Sequence, residues 1–139
     1  MQFAGLNGYA VVLAAVLAFM FGWVWYGMLF SDAWLAAVGK SREEVKGEAP
    51  SPTPFIISFI GLIIMGLVLA VLLGYLGPGQ VTAGNGVIAG ALAWLGFVIT
   101  TMTVNNVFRS AKPALTLIDG GHWLGVLLLQ GAVIGWVGV

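Results

Sequence analysis

The stretch FIISFIGLIIMGLVLAVLLGYL, residues 55–76, decides the fold of this chain. It carries no charged residue, and it is long enough to cross a bilayer core, for which a helix needs about 20 apolar residues. A helix without a polar face requires an apolar solvent around it, and lipid is the available one. The stretch therefore predicts a transmembrane helix.

Three further stretches are similarly long and apolar, at residues 9–30, 86–108 and 114–137, and of these only the last contains a charged residue, Asp119. Over its 139 residues the chain is 60% hydrophobic and only 7% charged, with a mean hydropathy of +1.06. Soluble domains are about 25% charged. We therefore predict an all-α bundle of four transmembrane helices, which forms a single transmembrane domain over residues 1–139 in a lipid bilayer.

The basic residues predict the orientation of this bundle. All five lie in two connections, residues 31–54 and 109–113: they are Lys40, Arg42, Lys46, Arg109 and Lys112. Loops rich in Lys and Arg stay in the cytoplasm. Both connections should therefore be cytoplasmic, with the N and C termini both outside.

The first connection is expected to contain a short interfacial helix. Residues 32–38 can form one or two helical turns that stop at Gly39, and Ser41 with Glu44 fits a capping box. Aromatic residues are expected to anchor the spans at the two membrane surfaces. Trp25, Tyr26 and Trp34 would mark the inner surface, and Tyr9, Tyr75 and Trp136 the outer one.

The fourth span has a polar face and a glycine face. At 100° per residue, His122 and Gln130 lie within about 60° of Asp119. The opposite side carries two small-xxx-small pairs, a pattern typical of closely packed membrane helices. These pairs are Gly121 with Gly125 and Gly131 with Gly135.

The third span offers a surface that could meet the polar face. Trp94, Phe97, Thr101, Asn105 and Phe108 follow one another at helical spacing. Thr101 and Asn105 would lie at about the depth of His122 and Asp119 in an antiparallel hairpin. We therefore predict an intramembrane polar site of Thr101, Asn105, Asp119 and His122, extended by Gln130, while Asn106 faces a neighbour or the loop.

An ionised Asp119 inside the bilayer would cost roughly 2.5–3.5 kcal/mol. It could pair with Arg109 or Lys112, pair with a protonated His122, or stay neutral and bond to Asn105 or Thr101. We favour hydrogen bonding together with a loop cation that reaches back to the carboxylate. The polar site is then either a proton or cation relay or a structural clasp between spans.

Several classes of function are disfavoured. Five basic residues cannot form a stripe that follows a nucleic-acid backbone. A single histidine and no cysteine argue against a zinc site, and no cofactor-binding motif is found. No nucleophile–base–orienter set and no GxSxG motif occur, so we expect no catalytic residues and no enzyme activity.

Several motifs resemble one bacterial membrane family, domain of unknown function 1761. The resemblance is carried by Trp25-Tyr26-Gly27 with Leu29, Phe30 and Trp34, by Gly39-Lys40-Ser41-Arg42-Glu43-Glu44, by Trp94-Leu95-Gly96-Phe97 through Phe108, and by Ile118-Asp119, His122-Trp123 and Gly131. It covers nearly the whole chain. It implies a four-span protein of the bacterial inner membrane, assigns no activity and transfers no catalytic residue.

Two functions remain after these exclusions. The preferred one is a non-catalytic assembly, accessory or envelope-structural component that acts through helix packing. The alternative is a small proton- or ion-coupled transport protein that uses Asp119 and His122. The glycine face of the fourth span predicts a homo-oligomer, and a larger membrane complex is a further possible setting.

Overall fold

In the computed structural model, which describes residues 6–139, the chain is an all-helical bundle. Four of its helices are long and apolar enough to cross a membrane: Gly8–Leu29, Thr53–Gly74, Ala83–Phe108 and Pro113–Val137. Their ends differ from the predicted ones by up to three residues. Backbone groups in lipid must be bonded within the chain, and a helix achieves this within its own segment.

The first and third spans each contain a wider π-helical turn. The first consists of α1 (Gly8–Val24) and a π segment at Trp25–Leu29. The third consists of α5 (Ala83–Ala93), a π segment at Trp94–Val98 and α6 (Ile99–Phe108). A π turn adds one residue to the helix, so every later side chain is rotated around the axis.

Two short helices, α2 (Ser31–Val38) and α3 (Arg42–Gly47), follow the first span. The former ends at Gly39, whose φ of 76° lies in the left-handed region that favours glycine. The hydroxyl of Ser41 accepts the backbone N–H of Glu44 at 3.1 Å. Within residues 6–139 the reciprocal bond of the capping box, from the Glu44 side chain, is not formed.

The second span, α4 (Thr53–Gly74), has Pro54 as its second residue, and proline suits the first turn of a helix. Its buried residues are Leu62, Gly66, Leu69, Ala70 and Leu73. None of them precedes Leu62. In the first turns of α4 the contact with the first span is made by Phe59, whose ring packs edge-on against Phe19 with 5.9 Å between ring centroids.

The fourth span, α7 (Pro113–Val137), is the central helix and packs against α1, α4 and α5. Its contact with α5 is a backbone contact: a Cβ added to Gly131 would overlap the backbone of Gly86, and one added to Gly86 would overlap Gly131. Glycine permits this approach because it has no side chain to separate the helices.

The main apolar core lies at the end of the bundle where α1 begins and α7 ends. Leu69, Leu73, Leu127 and Ile134 are buried in it, and Val137 packs against it. We call this end the terminal half. The other end carries residues 31–52 and 109–112, with all five basic residues, and we call it the basic half.

Candidate functional site

Asp119 lies on α7 in the basic half and is bonded to the first span. The hydroxyl of Tyr26 donates a hydrogen bond to Oδ1 of Asp119 at 2.5 Å. Tyr26 belongs to the π segment of the first span, and the wider turn carries its side chain toward α7. We predicted Tyr26 as a surface anchor and did not predict it as the partner of Asp119.

Two tryptophans hold α7 on either side of Asp119. Nε1–H of Trp25 donates to the carbonyl of Ile118 at 3.1 Å, and Nε1–H of Trp94 donates to that of Gly120 at 2.8 Å. Each of these tryptophans is the first residue of a π segment and stands two residues before a glycine. The motif Trp-x-Gly also occurs at Trp123 and Trp136, so it could not by itself have identified this pair.

His122 is enclosed by aromatic rings and is only 8% exposed. It stacks on Phe21 with 5.9 Å between ring centroids and contacts Tyr26 at 4.9 Å and Trp123 at 4.7 Å. Gly22 makes room for it, because a Cβ there would lie 2.9 Å from its Nε2. Nδ1 of His122 is buried without a hydrogen-bond partner among the described residues.

The structure does not bring Thr101 and Asn105 to Asp119 and His122. Both residues are exposed, and the Thr101 hydroxyl donates to the carbonyl of Phe97 in its own helix at 2.7 Å. They border a separate cleft of about 390 Å³ beside α4. Asn105 therefore lies apart from the predicted site.

Asn106 occupies the inward position instead. It is 4% exposed, donates to the Thr116 hydroxyl at 3.0 Å and accepts a hydrogen bond from Arg109. The π segment explains the shift. Inserting one residue after Trp94 moves the inward stripe from residues 97, 101 and 105 to 98, 102 and 106.

Gln130 is fully buried and does not join the Asp119 group. It lies 11 residues, about 16 Å of helix, farther along α7. Its side-chain amide donates to the carbonyl of Leu62 at 2.9 Å, while its Oε1 has no partner among the described residues. The structure therefore places Gln130 in a contact with α4.

The four glycines of α7 that we predicted as packing residues all pack within the chain. A Cβ on Gly121 would lie 3.0 Å from the Trp25 ring, and one on Gly125 would overlap Phe21. Gly131 and Gly135 meet the third span, and a Cβ on Gly135 would overlap the carbonyl of Thr82. This use within one chain removes the glycine face as an argument for the homo-oligomer, which stays a prediction.

The other predicted anchors differ in their surroundings. Trp34 packs edge-on against Tyr26 with 6.2 Å between ring centroids. Trp136 is 80% exposed near the end of α7. Trp34 therefore extends the aromatic group around Asp119, whereas Trp136 contributes nothing to it.

Two cavities adjoin Asp119 and His122 between the first span and α4. The larger, of about 680 Å³, is bordered by Asp119, and the smaller, of about 410 Å³, is bordered by His122. Four residues border both cavities: Tyr26, Phe55, Ser58 and Trp123. Both cavities lie beside the first turns of α4, where residues 53–61 contain no buried side chain, and Trp123 of α7 borders both.

The loop cations Arg42, Arg109 and Lys112 are bonded to groups other than Asp119. Arg109 donates to Asn106, Lys112 donates to the Ala36 carbonyl at 3.2 Å, and Arg42 pairs with Asp32. Among residues 6–139 no basic side chain forms an ion pair with Asp119. The hydrogen bond to this carboxyl therefore comes from Tyr26, and not from Asn105 or Thr101 as we expected.

Across the described part of the chain, no group of three His, Cys, Asp or Glu side chains is placed to hold a metal ion. The interior chemistry of the basic half thus rests on one carboxyl, one imidazole and a set of aromatic rings.

Comparisons with known proteins give one match. The sequence model of a family described as "Protein of unknown function (DUF1761)" matches residues 9–135. No curated protein matches this chain, and no solved structure does.

Proposed function

The chain belongs to the DUF1761 family of proteins of unknown function, and we propose that it is a non-catalytic component of the membrane that acts through helix packing. In this proposal the intramembrane polar groups act as clasps. Asp119 bonds to the first span, Asn106 joins the third span to α7, and Gln130 bonds to α4.

The observation that carries the proposal is the closed terminal half. Beyond His122, α7 presents Val126, Gln130 and Ile134, each with 0% of its surface exposed. They pack among the buried residues of α1 and α4, such as Ala14 and Leu73. A conduit for ions would need polar lining through this region, and apart from Gln130 the buried side chains named here are apolar.

The proposal includes the membrane in which the protein lies, its orientation there and its partner. Because all five basic residues lie at one end, we place that end in the cytoplasm of a bacterial cell, with α2 and α3 at the inner-membrane surface. We retain a second copy or a larger membrane complex as the partner. It would have to use a face other than the α7 glycines, such as the third span, where Phe97 is 76% exposed and Phe108 is 87% exposed.

Ion-coupled transport is the second candidate, and one observation favours it. Asp119 and His122 border cavities at the basic half, and ionisable groups within membranes often mark ion or proton pathways. In that case the closed terminal half would have to open during each transport cycle.

A liposome assay separates the two candidates. Purified wild type, Asp119→Asn and His122→Ala are reconstituted, and proton flux is followed with an enclosed pH-sensitive dye between pH 5 and 8. We expect all three to match protein-free liposomes. Flux by the wild type that is lost in either variant would replace our proposal with the transport function.

The clasp itself is tested by removing one oxygen atom. Tyr26→Phe should lower the free energy of unfolding by about 1 kcal/mol, since interhelical hydrogen bonds in membranes contribute about 0.6 to 1.7 kcal/mol. Tyr75→Phe is the matched control, because Tyr75 is 64% exposed near the terminal end. Equal stability of the two variants, measured by SDS titration, would contradict a clasp at Asp119.

A further inference from the structure

The cavity beside Asp119 has walls of unusual composition. Four aromatic residues border it together with the carboxyl group: Tyr26, Trp34, Phe55 and Trp123. Aromatic faces carry negative charge density and attract cations within about 6 Å of the ring centroid. Both the rings and Asp119 therefore favour positive charge in the same space.

Asp119 also lacks a cation of its own. Charged residues inside membranes pair with one another or with other polar groups, yet Asp119 has the single hydrogen bond from Tyr26. The loop cations Arg42 and Arg109 are bonded to Asp32 and Asn106. The carboxyl group thus borders a cavity and forms no ion pair with a basic side chain of residues 6–139.

We propose that this pair of cavities binds a lipophilic organic cation. Its positive group lies against Asp119 and the aromatic rings, and its apolar body fills the smaller cavity beside Phe19 and Leu62. Cavities of about 410 and 680 Å³ fall within the range of small-molecule sites, roughly 300–1,000 Å³. The site goes beyond the proposed packing function, which does not depend on it.

Other occupants suit the site less well. An anion would meet the Asp119 carboxyl and the aromatic faces. A hard metal ion prefers six to eight oxygen ligands, and the side chains that border the larger cavity offer fewer, from Asp119, Tyr26, Ser31 and Ser58. Arg42 and Lys46 of α3 also border the larger cavity. Both are exposed, so water and salt screen their charges, and Arg42 is already paired with Asp32.

Two probes of similar size and opposite charge test the proposal. Tetraphenylphosphonium and tetraphenylborate are titrated onto the full chain in detergent micelles, with tryptophan fluorescence as the signal and protein-free micelles as the blank. We expect the cation to bind at least tenfold more tightly than the anion. Equal affinity, tighter anion binding, or no saturable binding of the cation would overturn the proposal.

Substitutions then locate the site. Asp119→Asn should weaken cation binding at least tenfold and leave anion binding unchanged, whereas Glu43→Gln, which removes a charge from exposed α3, should change neither. Tyr26→Phe keeps the carboxyl but loses the clasp, and should retain cation affinity within about threefold. If Asp119→Asn binds the cation as wild type does, or weakens it no more than Tyr26→Phe, the site is not at Asp119. None of these results alters the expected absence of proton flux.

Discussion

The two halves of this bundle are packed in opposite ways. In the terminal half α7 approaches α5 through glycines, so that Gly131 and Gly86 meet backbone to backbone. In the basic half large aromatic side chains stand between the helices, and Trp123 lies beside open cavities. The chain thus uses its smallest side chains where it is closed and its largest where it is open.

The contrast teaches how a small membrane protein can combine rigidity with space for a ligand. Lipid supplies no hydrophobic force between helices, so close van der Waals contact must hold them together. Glycine contacts supply it at one end. At the other end hydrogen bonds from Trp25, Tyr26 and Trp94 hold α7, which leaves the helices far enough apart for cavities.

The largest expected loss of stability comes from disrupting the glycine contact between α5 and α7 in the closed terminal half. Gly131→Ala places a methyl group on the backbone of Gly86 and should cost about 3 kcal/mol, the upper range for overpacking. Gly61→Ala is the matched control, because nothing lies within 4 Å of its added Cβ. It should leave stability unchanged or raise it slightly. SDS titration measures both, and equal losses would mean that the glycine contact is not formed.

An intermediate effect tests the register set by the π segment in the third span. Asn106→Leu leaves Thr116 and Arg109 without their shared partner and should cost about 2 kcal/mol. Asn105→Leu alters an exposed side chain and should change stability by less than about 0.5 kcal/mol. If Asn105→Leu lost more stability than Asn106→Leu, the third span would instead have the unbroken α-helical register that we predicted from the sequence.

The smallest effect is expected at Gln130, in the closed half. Gln130→Met removes the bond to the Leu62 carbonyl but also removes the unpaired Oε1. The two contributions nearly cancel, so the free energy of unfolding should change by less than about 1 kcal/mol. Gln130→Glu should be far worse, because it buries an acid whose charge is costly within the membrane. A large loss in Gln130→Met would show that this residue does more than join α7 to α4.

The sequence-based prediction was right about the helices and wrong about their faces in the third span. The helical projection that placed Asn105 beside Asp119 assumed a uniform rotation of 100° per residue along the third span. The π segment at Trp94–Val98 broke that assumption, and Asn106 took the inward position. Tyr26 was missed for a related reason, since a tyrosine near a membrane surface is usually an anchor.

The glycines show the same limit. Their spacing correctly indicates a surface made for close approach, but spacing carries no information on which helix will use it. Gly131 and Gly135 meet the third span of their own chain, while Gly121 and Gly125 receive Trp25 and Phe21. The glycine spacing alone therefore could not distinguish packing within one chain from packing between two chains, and it did not by itself support the predicted self-association.

The sequence by itself determined that four helices are long and apolar enough to cross a membrane. Transfer of a segment into lipid depends on its own composition and length, so each span could be recognised in isolation. Only the tertiary structure decided that Asp119 bonds to Tyr26 and that Asn106 faces inward. Those contacts depend on the rotation of each helix about its axis, which local π turns and the packing of neighbouring helices set together.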